Sequence, residues 1–213
     1  MTKLKEILTD GVILFAISTG FVVVMDQGFS KLKGAVKQDD PIVTAIIQGD
    51  SKKLEELVKM GDGVTNETDE LGRAALMRAA YANYANSKTI EETDAKRVAM
   101  VEQLVKQGAQ LDTLDDDGWS ALMWASWSGL AQVASKLLDL GASYQFADKQ
   151  GNTALIIAAQ RGNAGIVKVL LAKGADRAVA NKAGKTAVDA AGSGLEQYPD
   201  KRLAYSAVLA ALR

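Results

Sequence analysis

The chain has 213 residues, with 25 Lys plus Arg against 26 Asp plus Glu, and neither Cys nor His. A net charge of −1 gives no field to steer a phosphate backbone, so nucleic acid is not expected as a partner. Without thiol or imidazole, thiolate metal sites, zinc hydrolysis and Ser–His or Cys–His nucleophilic chemistry are excluded; carboxylate-pair, Lys or cofactor chemistry stays open in principle, but with no nucleophile–base pair or metal set neither a catalyst nor a cofactor is expected.

Residues 11–25 (GVILFAISTGFVVVM) carry no charge and lie between Asp10 and Asp26. As a helix they span about 22 Å, short of the roughly 30 Å hydrocarbon core. Extension back to Ile7 brings in only Asp10, near one end. Three readings are open: an uncleaved membrane anchor, a cleaved signal peptide with Lys3 and Lys5 as its basic start, and a helix buried on the following domain. No small-x-small cleavage site follows Met25. The expectation is a hydrophobic helix within residues 1–26 that meets the membrane through 7–25, a linker at 27–39 and a domain over 40–213. Ala16 and Gly20 would share one face of that helix and could admit a second helix, although such pairs also arise by chance. Lys3 and Lys5 before the segment balance Lys31, Lys33 and Lys37 after it, so charge does not decide orientation. The short N-terminal tail suits a single-pass inner-membrane protein with an exported, periplasmic domain; a cytoplasm-facing domain stays open.

The rest of the chain repeats. Gly118, Gly151 and Gly184 are each preceded at three residues by Asp or Asn and step by 33; so do Gly108-Ala109, Gly141-Ala142 and Gly174-Ala175. Two independent motifs in phase at one period predict stacked helical hairpins. In each unit, Asp-x-x-Gly reads as a turn, Ala-Leu-x-x-Ala as a first helix, and a stripe such as Ile166, Val167, Val169, Leu170 and Leu171 as a second helix ended by Gly174.

The pattern in DDDGWSALMWAS and DKQGNTALIIAA resembles ankyrin repeats, of the bacterial, N-terminally membrane-anchored kind, over about residues 40 to 213. The resemblance implies an all-α solenoid of about five helix-turn-helix units with short hairpin turns. The family's Thr-Pro-Leu-His is replaced by AALM, SALM, TALI and TAVD, so any hydrogen bonds made by its His must be met otherwise. Unit one, from Pro41, lacks the turn motif and reads as the N-terminal cap. Unit two carries 13 extra residues, since Leu76 to Gly108 is 32 where the regular interval is 19. The insertion falls at 83–96, and Glu91, Glu92 and Asp94 beside Lys88, Lys96 and Arg97 look like a solvated face. Unit five, from Asn181, reads as the C-terminal cap, with Gly192-Ser193-Gly194 as flexible loop. The Asp112 and Asp115-Asp116-Asp117 cluster does not fit a calcium loop and reads as a turn tip, so no metal is expected.

The resemblance also implies a concave groove lined by turn tips and the outward side of the first helices. Carried over by position, its residues are Arg73, Arg78, Tyr81 and Tyr84 in unit two, with Glu70 and Leu71 beside them. In unit three they are Asp116, Asp117, Trp119, Trp124 and Trp127, with Ser128. In unit four they are Asn152, Ile157, Gln160 and Arg161, with Lys149 and Gln150. Trp, Tyr and Arg are the residues most enriched at binding hot spots. The expected function is therefore capture of another protein, membrane-associated or periplasmic, as scaffold, accessory factor or inhibitor. The alternative is a single-span accessory subunit of a larger membrane complex, held mainly through its N-terminal helix.

Overall fold

The computed structural model describes residues 7–9, 12–17, 21–25, 41–59, 66, 68–69, 71–81 and 90–213. They fall into two units, Met1–Gln38 and Asp39–Arg213.

In the first unit three strands, β1 (Ile7–Thr9), β2 (Val12–Ile17) and β3 (Phe21–Met25), form an antiparallel sheet in that order. This differs from the expected helix. Val12, Ile13, Phe15 and Ile17, then Phe21 and Val22 to Val24, are β-branched or aromatic residues that suit a pleated backbone. Ala16 sits in β2 opposite Val22, and Gly20 lies outside the described residues. Among the described residues no helix is long and apolar enough to cross a membrane. The expected linker lies outside the described residues.

The second unit is helical. Five hairpins follow one another: α1 (Pro41–Gln48) with α2 (Ser51–Lys59), α3 (Ala75–Ala80) with α4 (Ile90–Lys106), and α5 (Ala121–Ser128) with α6 (Ala131–Asp139). Next come α7 (Ala154–Arg161) with α8 (Ala164–Ala172), and α9 (Ala187–Gln197) with α10 (Arg202–Ala211). First helices stack in the series α1–α3–α5–α7–α9, and second helices in the series α2–α4–α6–α8–α10. The core lies between the two rows, with Leu76, Leu122 and Leu155 from one and Leu104, Leu137 and Leu170 from the other, all buried.

Each turn works as its residues require. Asp115 Oδ1 accepts from the backbone N–H of Asp117 (3.0 Å) and Trp119 (2.8 Å). Asp148 repeats this with Gln150 and Asn152, and Asn181 with Ala183 and Lys185. Gly118 and Gly151 both turn the chain at φ 83°, a left-handed conformation costly for other residues. Ser120 and Thr153 then cap the first helices through their hydroxyls, and Thr186 does so in a capping box with Asp189. Successive tips are tied by backbone bonds: Asp116 N–H to Leu71 O, Lys149 N–H to Asp117 O, and Lys182 N–H to Gln150 O, at 3.0–3.1 Å.

The C-terminal ends of α3, α5 and α7 are met by a mixed set of side chains. Asn163 Nδ2 donates to Ser126 O in the last turn of α5 (2.7 Å), and the Tyr205 hydroxyl donates to Gln160 O in α7 (2.8 Å). Arg97 Nη1 donates to Arg78 O (2.9 Å) and Ala79 O (3.2 Å) at the end of α3.

Two sequence expectations fail here. Residues 83–89 of the insertion lie outside the described residues, but from Ile90 it is the first part of α4, which runs for 17 residues. Asp94 and Arg97 are no solvated face: each is only 4% exposed. The Asp94 carboxylate accepts from Gln132 N–H (2.7 Å) and Val133 N–H (2.9 Å), capping α6, whose own N-cap residue Leu130 supplies no side-chain bond. Burial pulls the Arg97 pKa down to about 10. The second failure is Gly192 to Gly194, which are helical within α9. A Cβ on Gly194 would stand 2.6 Å from Gln160 O, so the glycine is what lets α9 approach α7. The break before α10 is confined to Tyr198 and the 3-10 turn Pro199–Lys201.

Candidate binding groove

The groove slots recur at the 33-residue offset, which allows position-by-position comparison. The slot after each turn glycine holds Trp119, Asn152 and Lys185 in units three to five. The slot near the end of each first helix holds Trp127, Gln160 and Ser193. The slot three residues before that holds Trp124, Ile157 and Ala190.

In unit three these side chains turn on one another. Trp119 is 6% exposed and Trp124 5%. Their rings lie 4.8 Å apart between centroids; Tyr81 meets Trp124 edge-on at 5.2 Å, and Trp127 meets Trp119 edge-on at 5.7 Å. Trp124 Nε1 donates to Asp115 Oδ2 at 3.0 Å, so the turn carboxylate also anchors the indole. Burial pushes the Asp115 carboxyl above its ordinary value, against the bonds from Trp119, Trp124 and Asp117 that pull it down. Arg161 lies over the Trp127 ring at 4.0 Å. Burial likewise pushes the Tyr81 phenol up, against the pull of Arg73, Arg161 and Arg97.

The expected anchors are therefore reassigned. Trp119 and Trp124 are packing residues and do not project to a partner; Ile157 and Ser128 are buried as well, at 2% and 5%. Trp127 and Arg161 form the half-exposed edge of the cluster. Arg73 and Arg78 converge on Asp69 Oδ2, at 2.8 and 3.3 Å, rather than pointing outward. Burial pushes Asp69 up, but the bonds from Arg73 outweigh it and hold the carboxyl below its ordinary value. Asp116 is exposed and Asp117 half-exposed at the tip of unit three. Tyr84 and Glu70 lie outside the described residues.

Between units four and five the same groove is open. An open cleft of about 580 Å³ lies between α7 and α9 and between their turns. Ile156 and Ala190 line its apolar part; Gln160, Ser193 and the tip residues Lys149, Asn152, Lys182 and Lys185 line the rest. Asn181 Nδ2 donates to Asn152 Oδ1 (2.7 Å), Lys182 Nζ to Lys149 O (2.8 Å) and Lys185 Nζ to Ser193 Oγ (3.3 Å). Gln160 and Asn152 of the expected set are thus brought together here. Lys182, Lys185 and Ser193 were missed in the sequence, although shifting the unit-four slots by 33 reaches all three.

Residues 147–191 match a family model described as ankyrin repeats (many copies). No match is found among curated proteins. The matched segment runs from the fourth turn through α7 and α8 into α9, so it contains most of the open cleft, and over that stretch the chain carries ankyrin repeats.

Proposed function

We propose that the chain is a protein-binding repeat module whose concave face, from the Trp127–Arg161 edge across the cleft of units four and five, receives a partner protein. The observation that carries the reading is the open cleft between stacked first helices, set in the stretch that matches repeats known as protein-interaction modules. The role that fits is scaffold, accessory factor or inhibitor of an envelope protein. Gln160 occupies in α7 the slot that Trp127 fills in α5. Gln160→Trp should therefore close the groove and abolish capture of the partner by full-length protein in mild detergent, with the helical CD spectrum intact. Unchanged capture would refute the concave-face reading.

We extend the proposal to membrane tethering, which the uncharged run 11–25 supports. An open three-stranded sheet leaves edge N–H and C=O groups unpaired and is not tolerated in hydrocarbon. Tethering thus requires these residues to become helical in lipid. Flotation of the full chain, but not of residues 27–213, with anionic vesicles, together with a gain in helical CD, is the expected result. Within this proposal the location is the inner membrane with the repeats exported, testable by protease access in spheroplasts. The second reading, an accessory subunit held through its N-terminal segment, rests on the same run; it predicts that residues 40–213 alone fail to capture a partner that the full chain captures.

A further inference from the structure

The turn tips change sign along the solenoid. The offset of 33 aligns Asp116 with Lys149 and Lys182, and Trp119 with Asn152 and Lys185. Three lysines thereby converge on one cleft, and no Asp or Glu lines it. Of the nearby carboxylates, Asp148 accepts from Asn152 Nδ2 and two backbone N–H groups, and Asp189 accepts from the Thr186 hydroxyl and backbone while also feeling the charge of Lys185. Lys182 and Lys185 are held over the cleft by their bonds to Lys149 O and Ser193 Oγ, each of which uses one of three ammonium donors.

Resting on the protein-binding reading, we propose that this cleft takes an extended acidic segment of the partner, with Asp or Glu carboxylates on Lys149, Lys182 and Lys185. Charge complementarity supports the choice: Lys149, Lys182 and Lys185 are point charges that donate to carboxylates at varied angles. The exposed acidic tip at Asp116 repels such a segment and fixes the end from which it is excluded.

The test is fluorescence anisotropy of full-length protein with a labelled ten-residue peptide alternating Glu and Ala. The controls are its Gln–Ala counterpart and phosphatidylserine vesicles. The Glu peptide should bind at least about tenfold more tightly than the Gln peptide, with affinity falling as salt rises. Lys149→Glu with Lys182→Glu, and separately Lys185→Glu, should each weaken it about tenfold or more. Lys168→Glu, at an exposed position of α8, should leave it unchanged within about twofold. Equal binding of the Gln peptide overturns the proposal, as does an equal loss in Lys168→Glu. It is also overturned if only vesicles, or only a second copy of the chain by gel filtration, respond to the lysine reversals. If the peptide fails while Gln160→Trp still abolishes partner capture, the acidic specificity falls and the protein-binding reading stands; if both fail, both fall.

Discussion

Unit three and the junction of units four and five present the same groove slots and fill them in opposite ways. In unit three the slots hold Trp119, Trp124 and Trp127, which pack on one another and on Tyr81, with Trp124 tied to Asp115. At the next junctions they hold Asn152, Gln160, Lys185, Ala190 and Ser193, and about 580 Å³ stays open. A large ring in a groove slot has two choices: to wait for a partner, or to cover its neighbour. When adjacent slots all carry rings, they satisfy one another, because burying an indole is worth a few kcal/mol that no solvent-facing pose recovers. Hot-spot composition alone therefore does not locate a binding surface; what matters is whether neighbouring slots leave the ring uncovered.

The largest test of this contrast is truncation in each half. Trp124→Ala should cost about 3–5 kcal/mol in chemical denaturation, because it removes a buried ring and the bond to Asp115 Oδ2. Gln160→Ala, exposed in the open half, should change stability by less than about 0.5 kcal/mol. Equal costs would erase the distinction between filled and open halves.

Next in size is the polar support behind unit three. Arg97→Met should cost about 2–3 kcal/mol, since it strips the end of α3 of its two carbonyl partners, and Asp94→Ala about 1–2 kcal/mol as the N-terminus of α6 loses its cap. Thermal melts of both variants read this out. A neutral result for both would restore the solvated-face reading of the insertion.

Smaller still is Ser193→Trp, which introduces a ring into the open half at the slot Trp127 occupies in unit three. Stability should move by less than about 1 kcal/mol, because the cleft has room, while groove binding is lost. The smallest effect concerns pH. The Asp69 carboxyl is held low in the fold, so its contribution is present above the ordinary carboxylate value and is lost as pH falls through the folded value. Burial holds the Asp115 carboxyl high, so its contribution has the opposite sign: present at low pH and lost as pH rises through the folded value. Asp69→Asn should accordingly flatten the acid limb of the stability curve, measured by denaturation between about pH 3 and pH 6.

Much of the helical unit was legible because its signals are local. Asp115, Asp148 and Gly151 fix a turn within four residues, and a 33-residue period fixes the stacking. Less legible were features decided by distant partners. Asp94 looks like any surface acid until α6, 37 residues on at its start, presents an uncapped end. Gly194 looks like loop until Tyr205 and Gln160 are seen to need its missing side chain. Periodicity did not separate strand from helix in residues 7–25, where a short, β-branched run with Asp10 as its one charge suits either. In the groove, Gln160 and Asn152 were identified from position alone, whereas Trp119 and Trp124 were misplaced because composition says nothing about which ring covers which.

The most direct measurement is acrylamide quenching of tryptophan emission in a Trp127→Phe variant of the full chain, which leaves Trp119 and Trp124 as the only emitters. Blue-shifted emission with quenching well below that of the denatured chain is predicted. Red-shifted, readily quenched emission would show these indoles open to solvent and contradict the filled-groove account of unit three.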